Sequence, residues 1–154
     1  ITIRFKEEDV RAMGRTAHGV RGITLEAGDE VIGMETITPD STTAILTVTE
    51  GGYGKRTPVN EYRVQGRGGK GIISVKTTER NGAAVGFLQV RDEDEIMLMA
   101  AQGKVLRCKV DDIREIGRNT QGVRLLDMDG DEDRVVAVVR LVEREEGVPE
   151  EGES

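Results

Sequence analysis

Apolar residues in this chain come in short clusters of roughly four to eight positions, rich in Val, Ile, Leu and Thr and punctuated by Gly, Asn, Asp or Pro. That pattern predicts β-strands near Thr43–Thr49, Gly54–Thr57, Gly71–Thr78 and Ala83–Val90, then Glu95–Ala101, Lys104–Cys108, Gly122–Leu126 and Arg134–Leu141. The stretches EGGYG and AQGKV between strands read as tight hairpin turns, and Asn81-Gly82 as a further turn, because glycine enters positive φ without steric cost. No segment keeps a helical period. The one helical candidate, PVNEYR from Pro58, is a single turn at most.

The strand pattern repeats. GRTAHGV from Gly14, GRGGKGI from Gly66 and GRNTQGV from Gly117 share Gly-Arg, three variable residues, Gly and a β-branched residue, at spacings of 52 and 51 residues. Upstream, Ile3–Arg11, Lys55–Arg63 and Leu106–Arg114 align without a gap. Downstream, segments opening at Asp29, Ala83 and Asp133 occupy one slot. A four-stranded unit recurring every ~50 residues is the signature of propeller blades, which bury their faces only by stacking on neighbours. The expected fold is therefore all-β and propeller-like, with about three antiparallel blades at residues 1–42, 43–93 and 94–142 and an acidic tail over 143–154. The first unit starts mid-blade, so the segment reads as part of a larger ring whose open edges need partners.

Composition refines this picture. Aromatics are only 3% of the 154 residues, so the core must be aliphatic. The formal net charge of −7 argues against nucleic acid until its distribution is considered: EREEGVPEEGES at the end carries −5, leaving a body near neutrality with 21 cations. One cysteine, Cys108, allows no internal disulfide, and no stretch approaches the ~18 apolar residues of a membrane span. With the lone His18 it also makes no His/Cys metal cluster. The acidic DMDGDEDR at Asp127 lacks the twelve-residue spacing of a calcium loop and reads as a hairpin turn.

YGKRTPVNEYRVQGRGGKGI, IGRNTQGVRL and VVAVVRLVE together resemble the C-terminal DNA-wrapping domains of the DNA gyrase A family. The resemblance covers the chain to about Glu143 and corresponds to the last half of that family's domain. It implies a strand-swapped, six-bladed β-pinwheel that wraps duplex DNA around its rim. The family's box, Gln-basic-Arg-Gly-Gly-Lys-Gly, is matched by Gln65–Gly71 except at Gly66, which stands where a basic residue belongs. This copy therefore reads as the secondary box, with the principal one expected upstream. The topoisomerase IV equivalent, whose box is degenerate, and a propeller-type protein-interaction scaffold are the alternatives.

The resemblance implies contacts to phosphates rather than to bases. Its candidate residues are the row Arg15, Arg67 and Arg118, the row Arg4, Arg56 and Arg107, and Arg63 from a third row shared with Arg11 and Arg114. Gly68 and Gly69 would let backbone approach phosphates, and Lys70 would add a mobile charge. Lys55, Lys76, Arg80 and Lys104 are accessory cations or ordinary solvated charge. One arginine row could instead hold blade corners through acids such as Asp9, Glu61 or Asp112. A nucleotide-type phosphate loop is disfavoured, because Gly71 leads into a predicted strand and not a helix. The resemblance further implies a bacterial, cytoplasmic and nucleoid-associated type II topoisomerase, with gyrase A and gyrase B partners in an A2B2 assembly. ATP and Mg2+ would be used elsewhere in that assembly, with no cofactor and no catalytic residue on this segment. The acidic tail would compete with DNA for the rim or simply solubilise the chain.

Overall fold

The computed structural model describes residues 1–38 and 42–141, so the acidic tail lies outside the described residues. Among the described residues seven strands form: β1 (Ala44–Thr49), β2 (Tyr53–Pro58), β3 (Ala84–Val90), β4 (Glu95–Ala100), β5 (Val105–Lys109), β6 (Val123–Arg124) and β7 (Val135–Leu141). They make two antiparallel sheets, one ordered β3-β1-β2-β6 and one ordered β5-β4-β7. The fold is the all-β, propeller-like repeat expected.

Strand β1 is buried along its whole length because it is covered on both faces. Side chains alternate across a strand. Ala44, Leu46 and Val48 accordingly pack with Ile96, Leu98, Val110, Ile113 and Val135 of the following unit. Ile45, on the opposite face, packs with Val59, Tyr62, Ile37, Ile72 and Phe87. The blades stack closely enough that a Cβ on Gly86 of β3 would stand 2.0 Å from Val138 Cγ1 of β7. Both hairpins turn on a left-handed glycine, Gly52 at φ 80° and Gly103 at φ 92°, and the Asn81-Gly82 turn does so at Gly82, φ 71°.

The decisive feature is a strand exchanged between units. β6 belongs by sequence to the third copy, yet it pairs with β2 of the second, Gly54 opposite Val123. The equivalent residues one unit earlier, Thr2 and Ile72, form the same bridge, with both N–H···O bonds at 2.8 Å. The expected continuous strand Gly71–Thr78 is therefore corrected. After its single bridge at Ile72 the segment leaves the ladder and buries Ser74 and Val75 between units. Lys76 N–H then donates to Thr120 O at 2.9 Å, and buried Asn81 satisfies Thr78 N and Lys76 O. β-branched composition favours extended backbone, but a strand also needs a neighbour along its length, and this segment has one only at Ile72.

Residues 29–34 form no strand, although they align with β3 and β7. The strands those two pair with, β1 and β4, have no counterpart among residues 1–38. A one-turn 3-10 helix occurs in every unit, at Glu7–Asp9, Val59–Glu61 and Val110–Asp112, where the sequence suggested only the middle one.

Candidate nucleic-acid interface

Each unit presents one corner, built from a 3-10 turn, an arginine-bearing connection and the Gly-Arg-x-x-x-Gly motif. The last glycine of the motif is left-handed in all three copies: Gly19 at φ 80°, Gly71 at 76° and Gly122 at 81°. A Cβ on Gly71 would lie 2.4 Å from Thr2 O, and one on Gly122 2.7 Å from Gly54 O. The recurrent glycine thus serves the strand exchange, where backbone meets backbone. Gly68, at φ 83°, approaches Arg21 O, and exposed Gly69 borders Ile3.

Arg4 and Arg56 stitch adjacent units together. Arg4 Nη1 donates to Val59 O and Tyr62 O, both at 3.1 Å. Arg56, one repeat later and only 9% exposed, donates from Nε to Ile113 O at 2.6 Å and pairs with Asp92. Tyr62 and Ile113 are register equivalents, so this is one contact used twice. It saturates carbonyls at the end of the 3-10 turn and leaves Arg56 little surface for a phosphate. Arg107, the third of the row, is exposed and lies against Glu95, Nε to Oε2 2.9 Å.

Lys55, expected as accessory surface charge, is fully buried. Its ammonium sits inside the third corner, donating to Gly117 O at 2.8 Å, Thr120 O at 3.2 Å, Thr120 Oγ1 at 3.1 Å and Arg118 O. Burial pushes its pKa down to about 8; Glu61 opposes the shift and Arg118 reinforces it. In the neighbouring unit the same slot holds Ile3, under GRGGKG. Lys104 is tied to Asp127 O at 2.7 Å and Asp129 Oδ1 at 3.1 Å, in the turn formed by the acidic stretch.

The motif arginines brace the corners while remaining at the surface. Arg67 donates from Nε to Asp9 O at 3.0 Å and from Nη1 to Arg21 O. Arg118 repeats this contact one unit later, Nη1 to Ile73 O at 2.8 Å, and its backbone N–H donates to Glu61 Oε2 at 3.2 Å. Arg118 Nε is buried without a hydrogen-bond partner among the described residues. Arg15 and Lys70 are exposed and make no bond with another described residue.

The row Arg11, Arg63 and Arg114 is exposed in every unit and forms no ion pair among the described residues. The alternative in which Asp9, Glu61 or Asp112 neutralises it is not what the structure contains. These three therefore keep a free charge among the described residues, as Arg15 and Lys70 do, and the shared register of Arg11 and Arg114 with Arg63 was the signal for them. A cluster that sequence reasoning did not assemble joins Arg80, Arg124 and Tyr53. Arg80 Nε and Arg124 Nη2 donate to Tyr53 Oη at 2.7 and 2.8 Å, and each guanidinium lies 5.2 Å from the ring centre. The bond from Arg124 is the main cause that lowers the Tyr53 pKa. Nothing in local sequence links residues 27 and 71 positions apart. Cys108 is half-buried, and burial raises its thiol pKa, which disfavours the reactive thiolate.

A family model described as DNA gyrase C-terminal domain, beta-propeller, matches residues 1–38, 43–91 and 94–141. The DNA gyrase A subunit of Salmonella typhimurium (strain LT2) is 51% identical over 141 residues, which is 92% of this chain and 16% of that protein. The Staphylococcus aureus counterpart is 47% identical over 151 residues, 98% of this chain and 17% of that protein. The chain thus spans about a sixth of the length of these relatives. A solved DNA gyrase A C-terminal domain superposes with a TM-score of 0.77 at 30% identity, over 90% of this chain and 46% of that one. A C-terminal domain of DNA topoisomerase IV gives 0.81 at 28% identity, over 89% and 42%.

Proposed function

The chain belongs to the DNA gyrase C-terminal domain family, and from that premise we propose that it binds and wraps duplex DNA without reading sequence, as a non-catalytic part of the gyrase A polypeptide. The observation that carries the reading is a free arginine at one register position per unit, Arg11, Arg63 and Arg114, beside Arg15 and Lys70 on the same corners. Repeated point charges on a rigid stack suit the phosphate backbone, which is itself a periodic line of charge.

Within the candidate set the roles divide. Arg63, Arg15 and Lys70, with Arg11 and Arg114, supply mobile charge to phosphates. Arg67 and Arg118 present guanidiniums already anchored on carbonyls and add a fixed positive edge. Gly68 and Gly69 keep the second corner low enough for a phosphate to approach. Arg107 can leave Glu95 for DNA, whereas Arg4 and Arg56 act indirectly by holding the units in register. In the complete enzyme, wrapping one duplex arm in a handed path would favour negative supercoiling. ATP hydrolysis with Mg2+, strand cleavage and the gyrase B polypeptides of an A2B2 assembly belong to the rest of that cytoplasmic, nucleoid-associated machine.

Duplex binding across a salt series tests the proposal. Each phosphate contact contributes roughly −0.9 to the slope of log K against log salt concentration. Replacing Arg11, Arg63 and Arg114 together by Ala should flatten the slope by roughly two to three, equally for duplexes of unrelated sequence. An unchanged slope, or no duplex binding by the parent chain at low salt, overturns it. Binding to an acidic protein surface with no duplex binding would favour the scaffold alternative.

A further inference from the structure

Arg67 and Arg118 share a register, yet the two corners hold them differently. Arg67 has two anchors in the preceding unit, Nε on Asp9 O at 3.0 Å and Nη1 on Arg21 O. Arg118 keeps the second of these, Nη1 on Ile73 O at 2.8 Å, Ile73 being the register equivalent of Arg21. The first has no counterpart among the described residues. Glu61 stands where Asp9 stood, and its carboxylate accepts the Arg118 backbone N–H at 3.2 Å, while Arg118 Nε stays without an acceptor. One guanidinium contact is thus replaced by a contact to the backbone.

The backbone of the third corner is held from beneath as well. Lys55 Nζ donates to Gly117 O at 2.8 Å, to Thr120 Oγ1 at 3.1 Å, to Thr120 O at 3.2 Å and to Arg118 O. The peptide before Arg118 is therefore gripped by Lys55 at its oxygen and by Glu61 at its N–H. The peptide after Arg118 is gripped by Lys55 at its oxygen, which also accepts Thr120 N–H at 2.9 Å. Peptide units are planar, so fixing both planes fixes φ and ψ of Arg118 and the direction in which its side chain leaves the chain. Lys55 is itself rigidly placed, on a strand paired along both edges, with β1 and with β6.

Packing alone does not call for a lysine at this position. Ile3 fills the same slot beneath GRGGKG, and Leu106 shares the register. Burying an ammonium is unfavourable where an aliphatic side chain would not be, as the lowered pKa of Lys55 records. We propose that Lys55 is a positioning residue for DNA binding: its buried ammonium sets the peptide planes of residues 117–120 so that the Arg118 guanidinium stands ready at the phosphate backbone. The inference rests on the DNA reading above and adds to it a side chain that touches no DNA. It also separates two kinds of corner. The glycine-rich one carries its arginine on two guanidinium contacts; GRNTQG, without the paired glycines, carries its arginine on a caged backbone.

Duplex binding by the whole chain, in a salt series and at a temperature where circular dichroism shows every variant folded, tests this. Lys55→Met should lower affinity roughly fivefold at about 0.1 M salt and flatten the salt slope by up to about 0.9, the share of one phosphate contact. Thr120→Val removes the hydroxyl that joins Lys55 to Gly117 O without altering any charge, and should lower affinity roughly twofold. In an Arg118→Ala background neither change should lower affinity further, whereas in an Arg63→Ala background each should act in full. Should Lys55→Met fail to fold, Thr120→Val carries the same comparison. Equal losses with and without the Arg118 side chain would overturn the proposal, because the ammonium would then act through its own charge. So would a fall in affinity at unchanged slope, the mark of a smaller folded fraction. A parent chain that binds no duplex at low salt overturns the inference together with the DNA reading; a parent that binds, with both variants unimpaired, overturns the inference alone.

Discussion

Replacing Lys55 by Met tests whether burial or carbonyl contact dominates at the third corner. Met keeps the length of the stem and removes the ammonium, so packing loss is small. Removed are the three N–H groups that serve four acceptors, the carbonyl oxygens of Gly117, Arg118 and Thr120 and the Thr120 hydroxyl. Hydrogen bonds from a charged group contribute about 1.5–3 kcal/mol each, roughly 5 kcal/mol at the lower end. Two effects offset that loss. The carbonyls keep other donors: Thr120 Oγ1 on Gly117 O, Thr120 N on Arg118 O and Lys76 N on Thr120 O. Desolvation of the ammonium, which lowers its pKa from 10.5 to about 8, is also relieved and is worth about 3 kcal/mol. The expected net destabilisation at pH 7 is therefore about 1–2 kcal/mol.

The pH dependence is more decisive than the magnitude. A lysine whose folded pKa lies below its unfolded value binds fewer protons when folded between about pH 8 and 10.5. Its contribution to stability therefore rises with pH across that window. The gap between the parent chain and Lys55→Met should widen by about 2–3 kcal/mol from pH 7 to pH 10. Urea unfolding followed by far-UV circular dichroism at both pH values measures it, and the subtraction cancels every other titrating group. Parallel stabilities would refute the claim that burial controls this lysine. A gap that narrows with pH would show that the carbonyl cage holds the ammonium charged.

Gly122→Ala should lower stability by about 3 kcal/mol, because it combines left-handed strain with a Cβ 2.7 Å from Gly54 O. A fall in melting temperature of roughly 6–12 °C is expected, against a few degrees for Gly130→Ala, where φ is equally positive but the space is open. Gly66→Lys restores a basic residue to the box at a position with no atom within 4 Å and without positive φ. Duplex affinity at about 0.1 M salt should rise several-fold with the melting temperature unchanged, as filter binding and calorimetry would report. Arg56→Ala should cost about 2–4 kcal/mol of stability and leave the salt slope of DNA binding intact. Arg63→Ala should flatten that slope by about 0.9 with stability unaffected; exchanged phenotypes would refute the division of labour between these rows.

The repeat, the strand sequence and the turn glycines could be read from the chain because each depends on neighbouring residues: β-branched runs, glycines that tolerate positive φ, and a constant spacing. Gly52, Gly82 and Gly103 were visible as turns for that reason. The family box was visible as a string, and so was its departure at Gly66. The roles of equivalent residues were not. Ile3, Lys55 and Leu106 share one register position, yet Lys55 alone buries an ammonium, because the corner above it turns the carbonyls of Gly117, Arg118 and Thr120 inward. Three arginine rows look interchangeable in sequence. Tertiary structure turns Arg4 and Arg56 onto carbonyls of the next unit and leaves Arg11, Arg63 and Arg114 free. Gly71–Thr78 has strand composition, but whether it joins a ladder depends on a partner some seventy positions away in the preceding unit, supplied only at Thr2. Local preference determined which segments extend and where the chain turns; contacts between units, which no local pattern encodes, decided which charges are spent inside the protein and which remain for a partner.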